Sequence, residues 1–268
     1  MGPPAKSMSR TQQQLAVQDD LYRVPRFSRD WALFLDVDGT VLDLAEHPKS
    51  VRVESALVEV LSRLQTLARG AVALVSGRSV DELDDLFRPL HLSIAGQHGA
   101  ECRHATGQMD VDRAGVETEF ARSALVAFAQ RDAGLYFEDK GVTLAMHYRH
   151  APHLEALVER TLAELSRRSG GELTLQTGKM VRELVPHGKN KGGAIAQFMT
   201  ESPFAGRVPV FIGDDDTDEH GFALVNKMHG HTIKVGPGAS VALHRLAGAR
   251  RVRDWLRAYA SWLEQRTN

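Results

Sequence analysis

The chain has 268 residues, 43% hydrophobic and 25% charged, a composition that fits a folded globular protein and excludes a disordered or fibrous one. Its 33 lysines and arginines against 34 aspartates and glutamates leave a formal net charge of -1, without the basic excess or stripe of a nucleic-acid binder. No run reaches the roughly 18 apolar residues of a membrane helix, and a single cysteine, Cys102, fits a reducing, cytoplasmic setting.

Residues 1–29 contain Gly2, Pro3, Pro4, three consecutive glutamines and many charges. They lack the apolar segment of a signal peptide and are expected to form a flexible tail. Trp31 to Val37 is a short apolar run flanked by Asp36 and Asp38, the pattern of a buried parallel strand. Glu54 to Leu67 places Leu57, Val58, Leu61, Leu64 and Leu67 at helical spacing. Ala71 to Val75 is a second buried strand that stops at Ser76-Gly77-Arg78. Val80 to Phe87 is helical again, and Leu92 to Ala95 is a third strand ending at Gly96-Gln97-His98-Gly99. Strand and helix in alternation predict a parallel sheet with crossover helices.

The pattern then changes. Val116 to Arg131 reads as a helix, and Leu135 to Tyr148 as two strands joined near Gly141. Leu154, Leu157, Val158, Leu162 and Leu165 line one helical face. Leu173 to Gln176 and Met180 to Val185 are two strands around Gly178. From Lys191 the first pattern resumes, with a helix to about Met199 and a buried strand from Val208 to Ile212. A helix, a strand from Thr232 to Val235 and two closing helices follow. The expected fold class is α/β: a Rossmann-like parallel-sheet core, residues 30–105 and 186–268, with an inserted α+β cap over residues 106–185.

Ligands of open parallel sheets bind beyond the carboxyl ends of the strands. The strands here end in Asp36-Val37-Asp38-Gly39-Thr40, in Ser76 and in Asp214-Asp215, with Asp218 one turn later. Lys189 and Lys191 precede the returning helix. Lys191 opens that helix and is preferred; Lys189 is the alternative. Carboxylates gathered together repel and need a cation between them, and an all-oxygen set suits Mg²⁺. A hydroxyl and a lysine at a helix N-terminus suit a phosphate. The combination describes phosphoryl transfer by positioning and charge neutralisation.

These residues resemble the four motifs of the haloacid dehalogenase superfamily: D-x-D-G-T at Asp36 to Thr40, the hydroxyl at Ser76, the lysine at Lys191 and G-D-D-x-T-D at Gly213 to Asp218. Val37 stands where an aromatic residue or leucine is frequent. The resemblance implies that Asp36 attacks phosphorus to form an aspartyl phosphate. It also implies that Asp38 protonates the leaving oxygen and then activates water. Mg²⁺ is then held by Asp36, the Asp38 carbonyl and Asp214, with Asp215 and Asp218 in support, while Ser76 and Lys191 bind phosphate oxygens. Relatives that pump ions carry threonine at the position of Asp38, so hydrolysis or mutase chemistry is implied.

By strand parity Glu138 and Lys140 share one face of their strand, His147 and Arg149 one face of theirs, and Lys179 and Glu183 one face of theirs. Together they form a charged surface suited to a polyhydroxylated substrate. From about Trp31 to the C-terminus the chain resembles trehalose-6-phosphate phosphatases. The matching pieces are Gly96 to Glu101, Glu138 to Lys140, His147-Tyr148-Arg149, Gly178-Lys179 with Glu183, Pro186 to Gly192 and Gly213 to Glu219. That resemblance implies sugar contacts from Glu138, Lys140, Arg149, Lys179 and Glu183. Gln97, His98, Gly99 and Asp218 join them as candidate substrate residues, with a structural role the alternative for His98. His229 and His231, flanking Gly230, are expected in a solvated turn, and no histidine pair has zinc spacing. The expected partner is a small sugar phosphate, with neither nucleic acid nor membrane, and the expected assembly is a monomer or weak homo-oligomer. Alternatives are a sucrose- or mannosyl-type sugar-phosphate phosphatase, a phosphomutase, and a sensor that binds without turnover.

Overall fold

The computed structural model describes residues 24–44 and 51–266. In chain order the first part runs β1 (Trp31–Leu35), α1 (Ser55–Leu67), β2 (Val72–Val75), α2 (Val80–Phe87), β3 (Ser93–Gly96), β4 (Glu101–Arg103) and β5 (Met109–Val111). The middle runs α3 (Val116–Ala129), β6 (Tyr136–Asp139), β7 (Leu144–His147), α4 (Glu155–Arg168), β8 (Leu173–Gly178) and β9 (Val181–Pro186). The last part is α5 (Lys191–Phe198), β10 (Val208–Gly213), α6 (Glu219–Lys227), β11 (His231–Val235), β12 (His244–Leu246) and α7 (Ala249–Glu264).

Eight strands form one sheet in the order β12-β11-β10-β1-β2-β3-β4-β5. The pairs from β12 to β3 are parallel, and β4 and β5 are antiparallel additions at the edge. Side chains alternate between faces. Leu33, Leu35, Leu74, Val210 and Ile212 pack with Leu57, Leu61, Trp255 and Leu256 of α1 and α7. Ala32, Phe34, Ala73, Val75 and Phe211 pack with Ile195, Phe198 and Phe222 of α5 and α6. With helices on both faces the inner strands are wholly buried, which explains their unbroken apolar runs. β1 and β10 are neighbours with Leu35 opposite Ile212, so the two acidic loops leave the sheet side by side.

The second sheet is antiparallel, in the order β6-β7-β9-β8. One face carries Leu144, Met146 and Leu184 against Leu125, Phe128, Val158 and Leu162 of α3 and α4. In register across it, Glu138 faces Ala145, Ala145 faces Glu183, and Glu183 faces Gln176. These four share the opposite face, which looks toward the carboxyl edge of the large sheet.

Several expectations are corrected. Among the described residues the C-terminus holds one helix, not two. After Gly236-Pro237-Gly238 the chain pairs His244–Leu246 onto β11, and only α7 follows. Lys179 lies outside the strands, where parity does not apply: with Met180, whose φ is +61, it forms the tight turn between β8 and β9. His231 is half-buried in β11, edge-on to Trp31; only His229 is exposed. β5 lies past residue 105, where the change of pattern was expected, yet pairs with the large sheet.

Of the expected tail, residues 1–23 lie outside the described residues. Residues 24–29 pack on the core: the Phe27 ring centroid lies 5.2 Å from that of Tyr259 and 5.5 Å from that of Trp255, and the Tyr259 hydroxyl donates to the Ser28 carbonyl. Burial of aromatic surface orders a segment whose composition is otherwise that of a tail. Phe27→Ala is expected to lower unfolding stability by about 2 kcal/mol, below the cost of a fully buried aromatic ring, as read from the urea midpoint. An unchanged midpoint would contradict this docking.

Candidate active site

The Asp36 carboxylate stands at the carboxyl end of β1, 4% exposed, and its N–H donates to the Ile212 carbonyl of β10. The loop turns back at once, because the Val41 and Leu42 N–H groups both donate to the Val37 carbonyl. Gly39 has φ +83, and a Cβ there would lie 2.2 Å from Asp214 Oδ2. Glycine is therefore required both by the turn and by the approach of the second acidic loop. Thr40 Oγ1 donates to Asp214 Oδ1 at 3.4 Å.

Asp214 follows β10, and Asp218 turns back beneath it, with Oδ2 accepting the N–H groups of Asp214 and Asp215 at 2.8 Å each. One carboxylate oxygen each from Asp36, Asp214 and Asp218 lies within 4.8 Å of the others, all three residues buried. Lys191, the first residue of α5 and 3% exposed, donates to Asp36 Oδ1 at 2.7 Å and Asp218 Oδ1 at 2.6 Å. Lys179 reaches from the β8–β9 turn, its ammonium against Asp214 Oδ2 and its N–H donating to Asp215 Oδ2 at 3.1 Å.

Burial pushes the Asp36 carboxyl well above its ordinary range, Lys191 opposes this, and Asp218 and Asp214 add to the rise. Burial likewise raises Asp214, against the pull of Lys179. For Lys191 burial disfavours the charge, yet Asp218 and Asp36 prevail and its pKa is raised. The site is thus short of positive charge at its carboxylates and rich in hard oxygen donors, a set that fits a small divalent cation.

The carboxylates brought together are Asp36 and Asp214, both expected at the cation, and Asp218, expected in support. Asp38, expected at the cation through its carbonyl, lines the same cleft as Asp36 and Asp214, and its two carboxylate oxygens take Arg78 Nε at 2.6 Å and an Arg78 terminal nitrogen at 2.7 Å. The Asp215 carboxylate is engaged by the Lys179 main chain. Asp218 supports Lys191 and the loop, and no wall of the cleft contains it. Ser76 ends β2, buried, and its Oγ accepts the Arg78 N–H. Lys189 pairs with Asp112 at 2.9 Å, away from the cluster, and of the two lysines only Lys191 enters it.

On the cap side Glu183 is the centre. Its Oε1 accepts from Lys140 Nζ at 3.1 Å and Thr143 Oγ1 at 2.8 Å, and its Oε2 lies 2.9 Å from His98 Nε2. Lys140 Nζ also donates to the Gly77 carbonyl at 2.9 Å, tying cap to core. Glu138 binds His147 Nε2 at 2.9 Å. His98 and Arg149 line the cleft, Arg149 on its exposed rim. Gln97 does not line it. Fully buried, Gln97 bonds Glu101, the Lys140 carbonyl and the N–H and hydroxyl of Thr143, a seam between the layers. Gly99, with φ +95, packs on Ala194. Sequence reasoning missed Arg78 and Thr143; the Ser-Gly-Arg at the end of β2 was the available signal for the first.

A family profile described as trehalose-phosphatase matches residues 34–249. The trehalose-6-phosphate phosphatase of Escherichia coli (strain K12) is 41% identical over 251 residues, 92% of this chain and 93% of that one. The crystal structure of a trehalose-6-phosphate phosphatase related protein superposes with TM-score 0.72 at 27% identity, over 87% of this chain and 99% of that one. A haloacid dehalogenase-like hydrolase from B. subtilis shares the fold alone, with TM-score 0.62 at 13% identity over 84% and 99%. The chain belongs to the trehalose-phosphatase family and is a phosphatase of haloacid dehalogenase fold.

For Glu183 burial disfavours the anion, but Lys140 and His98 hold its carboxyl well below the usual range. A depressed carboxyl stabilises the fold above its ordinary value of about 4.3 and loses that contribution as the pH falls toward the depressed one. Glu183→Gln is therefore expected to flatten the acid limb, losing less unfolding free energy than the parent chain between about pH 4.5 and pH 3. Equally steep losses in urea titrations would contradict this.

Proposed function

We propose that this member of the trehalose-phosphatase family releases phosphate from trehalose 6-phosphate, with Asp36 as nucleophile. The observation that carries the reading is the Asp36–Lys191–Asp218 ion cluster, with Asp214 beside it, placed opposite a cap face bearing Glu138, Lys140 and Glu183. In the first step an Asp36 oxygen attacks phosphorus and the phosphorus–sugar oxygen bond breaks. The leaving oxygen takes its proton from the Asp38 carboxyl. In the second step the Asp38 carboxylate takes a proton from water, whose oxygen attacks phosphorus. The Asp36–phosphorus bond breaks and free phosphate leaves.

Lys191 and Ser76 orient the phosphoryl oxygens, and Asp218 holds Lys191 charged. The donors fit magnesium, which Asp36, Asp214 and the Asp38 carbonyl would hold with support from Asp215 and Asp218; when bound it would neutralise charge on the phosphoryl group. Lys179, Glu183, Lys140, Glu138 and Arg149 receive the sugar hydroxyls, and His98 braces Glu183. In this reading residues 30–105 and 186–268, with β5 added at the sheet edge, are the catalytic core, and the rest of 106–185 is the cap that excludes water. No helix of the described residues is long and apolar enough to cross a membrane. The reading places the enzyme in the cytoplasm, as a monomer or weak homo-oligomer.

Phosphate release from trehalose 6-phosphate is expected to exceed that from glucose 6-phosphate and to stop with a chelator. A preference for another disaccharide phosphate would move the substrate while leaving the chemistry. Asp36→Asn is expected to reduce turnover by on the order of 10⁴-fold or more with the unfolding midpoint retained; wild-type turnover would remove Asp36 as nucleophile. Glu183→Ala is expected to raise KM for trehalose 6-phosphate by about 10- to 100-fold, the worth of a charged hydrogen bond, and to change KM little for a small phosphate ester. Equal changes on both would place Glu183 outside the sugar site.

A further inference from the structure

We infer that Arg78 is the positioning residue for Asp38, holding its carboxyl in the one orientation from which it serves the leaving oxygen; the inference rests on the proposed role of Asp38 as proton donor. The contact is a two-point fork, Nε to Oδ2 at 2.6 Å and a terminal nitrogen to Oδ1 at 2.7 Å. Such a pair fixes the plane of the carboxylate as well as its distance. The two partners are unequally buried, with side-chain exposures of 10% for Arg78 and 33% for Asp38. The guanidinium is the anchor, and the carboxylate is presented to the cleft.

The anchor is itself fixed. The Arg78 N–H donates to Ser76 Oγ at 3.2 Å and its carbonyl accepts the Gln97 N–H at 2.8 Å. A Cβ at Gly96 would come within 2.9 Å of that carbonyl oxygen, so the two backbones are in close contact. Glu82 Oε1 lies 4.0 Å from the guanidinium, and Glu82 is held in turn by the Ser79 N–H and hydroxyl in the capping box of α2. Glu138 of the cap acts on the same guanidinium electrostatically. Core and cap thus both bear on the group that orients Asp38.

The consequence is specific. When the phosphorus–oxygen bond of an alkyl ester breaks, the electron pair stays on an alkoxide oxygen that needs the Asp38 proton. A p-nitrophenolate leaves as a stable anion without it. Loosening Asp38 therefore penalises alkyl esters selectively, and kcat/KM isolates this first chemical step.

The test measures kcat/KM for ethyl phosphate and p-nitrophenyl phosphate, with Mg²⁺, in the full chain and in Arg78→Met, Arg78→Lys and Asp38→Asn. Arg78→Met is expected to lose on the order of 10²-fold on ethyl phosphate, within the span of general acid catalysis, and less than about tenfold on the aryl ester. Arg78→Lys, which keeps the charge but not the fork, is expected to show a smaller loss with the same bias. In the Asp38→Asn background, Arg78→Met is expected to cost less than about threefold, because coupled residues are not additive. A reduced folded fraction scales both esters alike, so the ratio reports the chemistry even if a variant is destabilised. Equal losses on the two esters, or additive losses in the double variant, overturn the positioning role. An Asp38→Asn variant without leaving-group bias overturns the acid assignment and the inference with it. Failure of the parent chain on trehalose 6-phosphate removes the sugar assignment alone, since neither ester depends on it.

Discussion

The structure depends on one electrostatic constraint: three buried carboxylates, Asp36, Asp214 and Asp218, meet at one edge of a sheet. Alone they would repel and favour protonation. Lys191 answers Asp36 and Asp218 from the first turn of α5, and Lys179 answers Asp214 from the cap. The parallel order makes the meeting possible. β1 and β10 are neighbours although the chain between them is long, their loops approach closely enough that Gly39 has no room for a side chain against Asp214, and Asp218 folds back closely enough that Gly213 has none either. The residues that hold charge and those that give up volume therefore belong to one arrangement.

A second polar layer joins the cap to this edge. Glu183 collects Lys140, Thr143 and His98, Gln97 bonds to both sides, and Lys140 reaches the Gly77 carbonyl. Buried charges are tolerated when hydrogen-bonded partners surround them, and the seam meets that condition for Glu183. Of these, Glu183, Lys140 and His98 are also strong donors and acceptors in the wall of the cleft, so part of the chemistry that closes the two layers is also chemistry that a ring of hydroxyls can use.

Much of this was legible in the sequence because it obeys local rules. The inner strands are buried on both faces, so β1, β2 and β10 appear as continuous apolar runs. The helices α1, α2 and α4 show their spacing. Asp36, Asp214 and Lys191 were readable because each sits where a strand ends or a helix begins. Features set by distant pairing were not. β4, β5 and β12 have three residues each, too short for a period, and exist only by adding to an edge. Arg78 gains its meaning from Asp38, 40 residues earlier. Strand parity misplaced Lys179 because Met180 turns the chain with a positive φ, and the order of residues 24–29 comes from an aromatic cluster built largely by α7.

The account's central claim is that Asp36, poised in this cation-balanced cluster, bonds covalently to phosphorus. The steric course of hydrolysis tests it most directly, using a sugar phosphorothioate that carries two oxygen isotopes beside sulfur at a phosphorus of defined configuration, and water carrying the third isotope, so that the released thiophosphate is chiral. Two successive in-line displacements, onto Asp36 and then onto water, predict retention of configuration. Inversion would show water attacking the substrate in a single step and would contradict the claim.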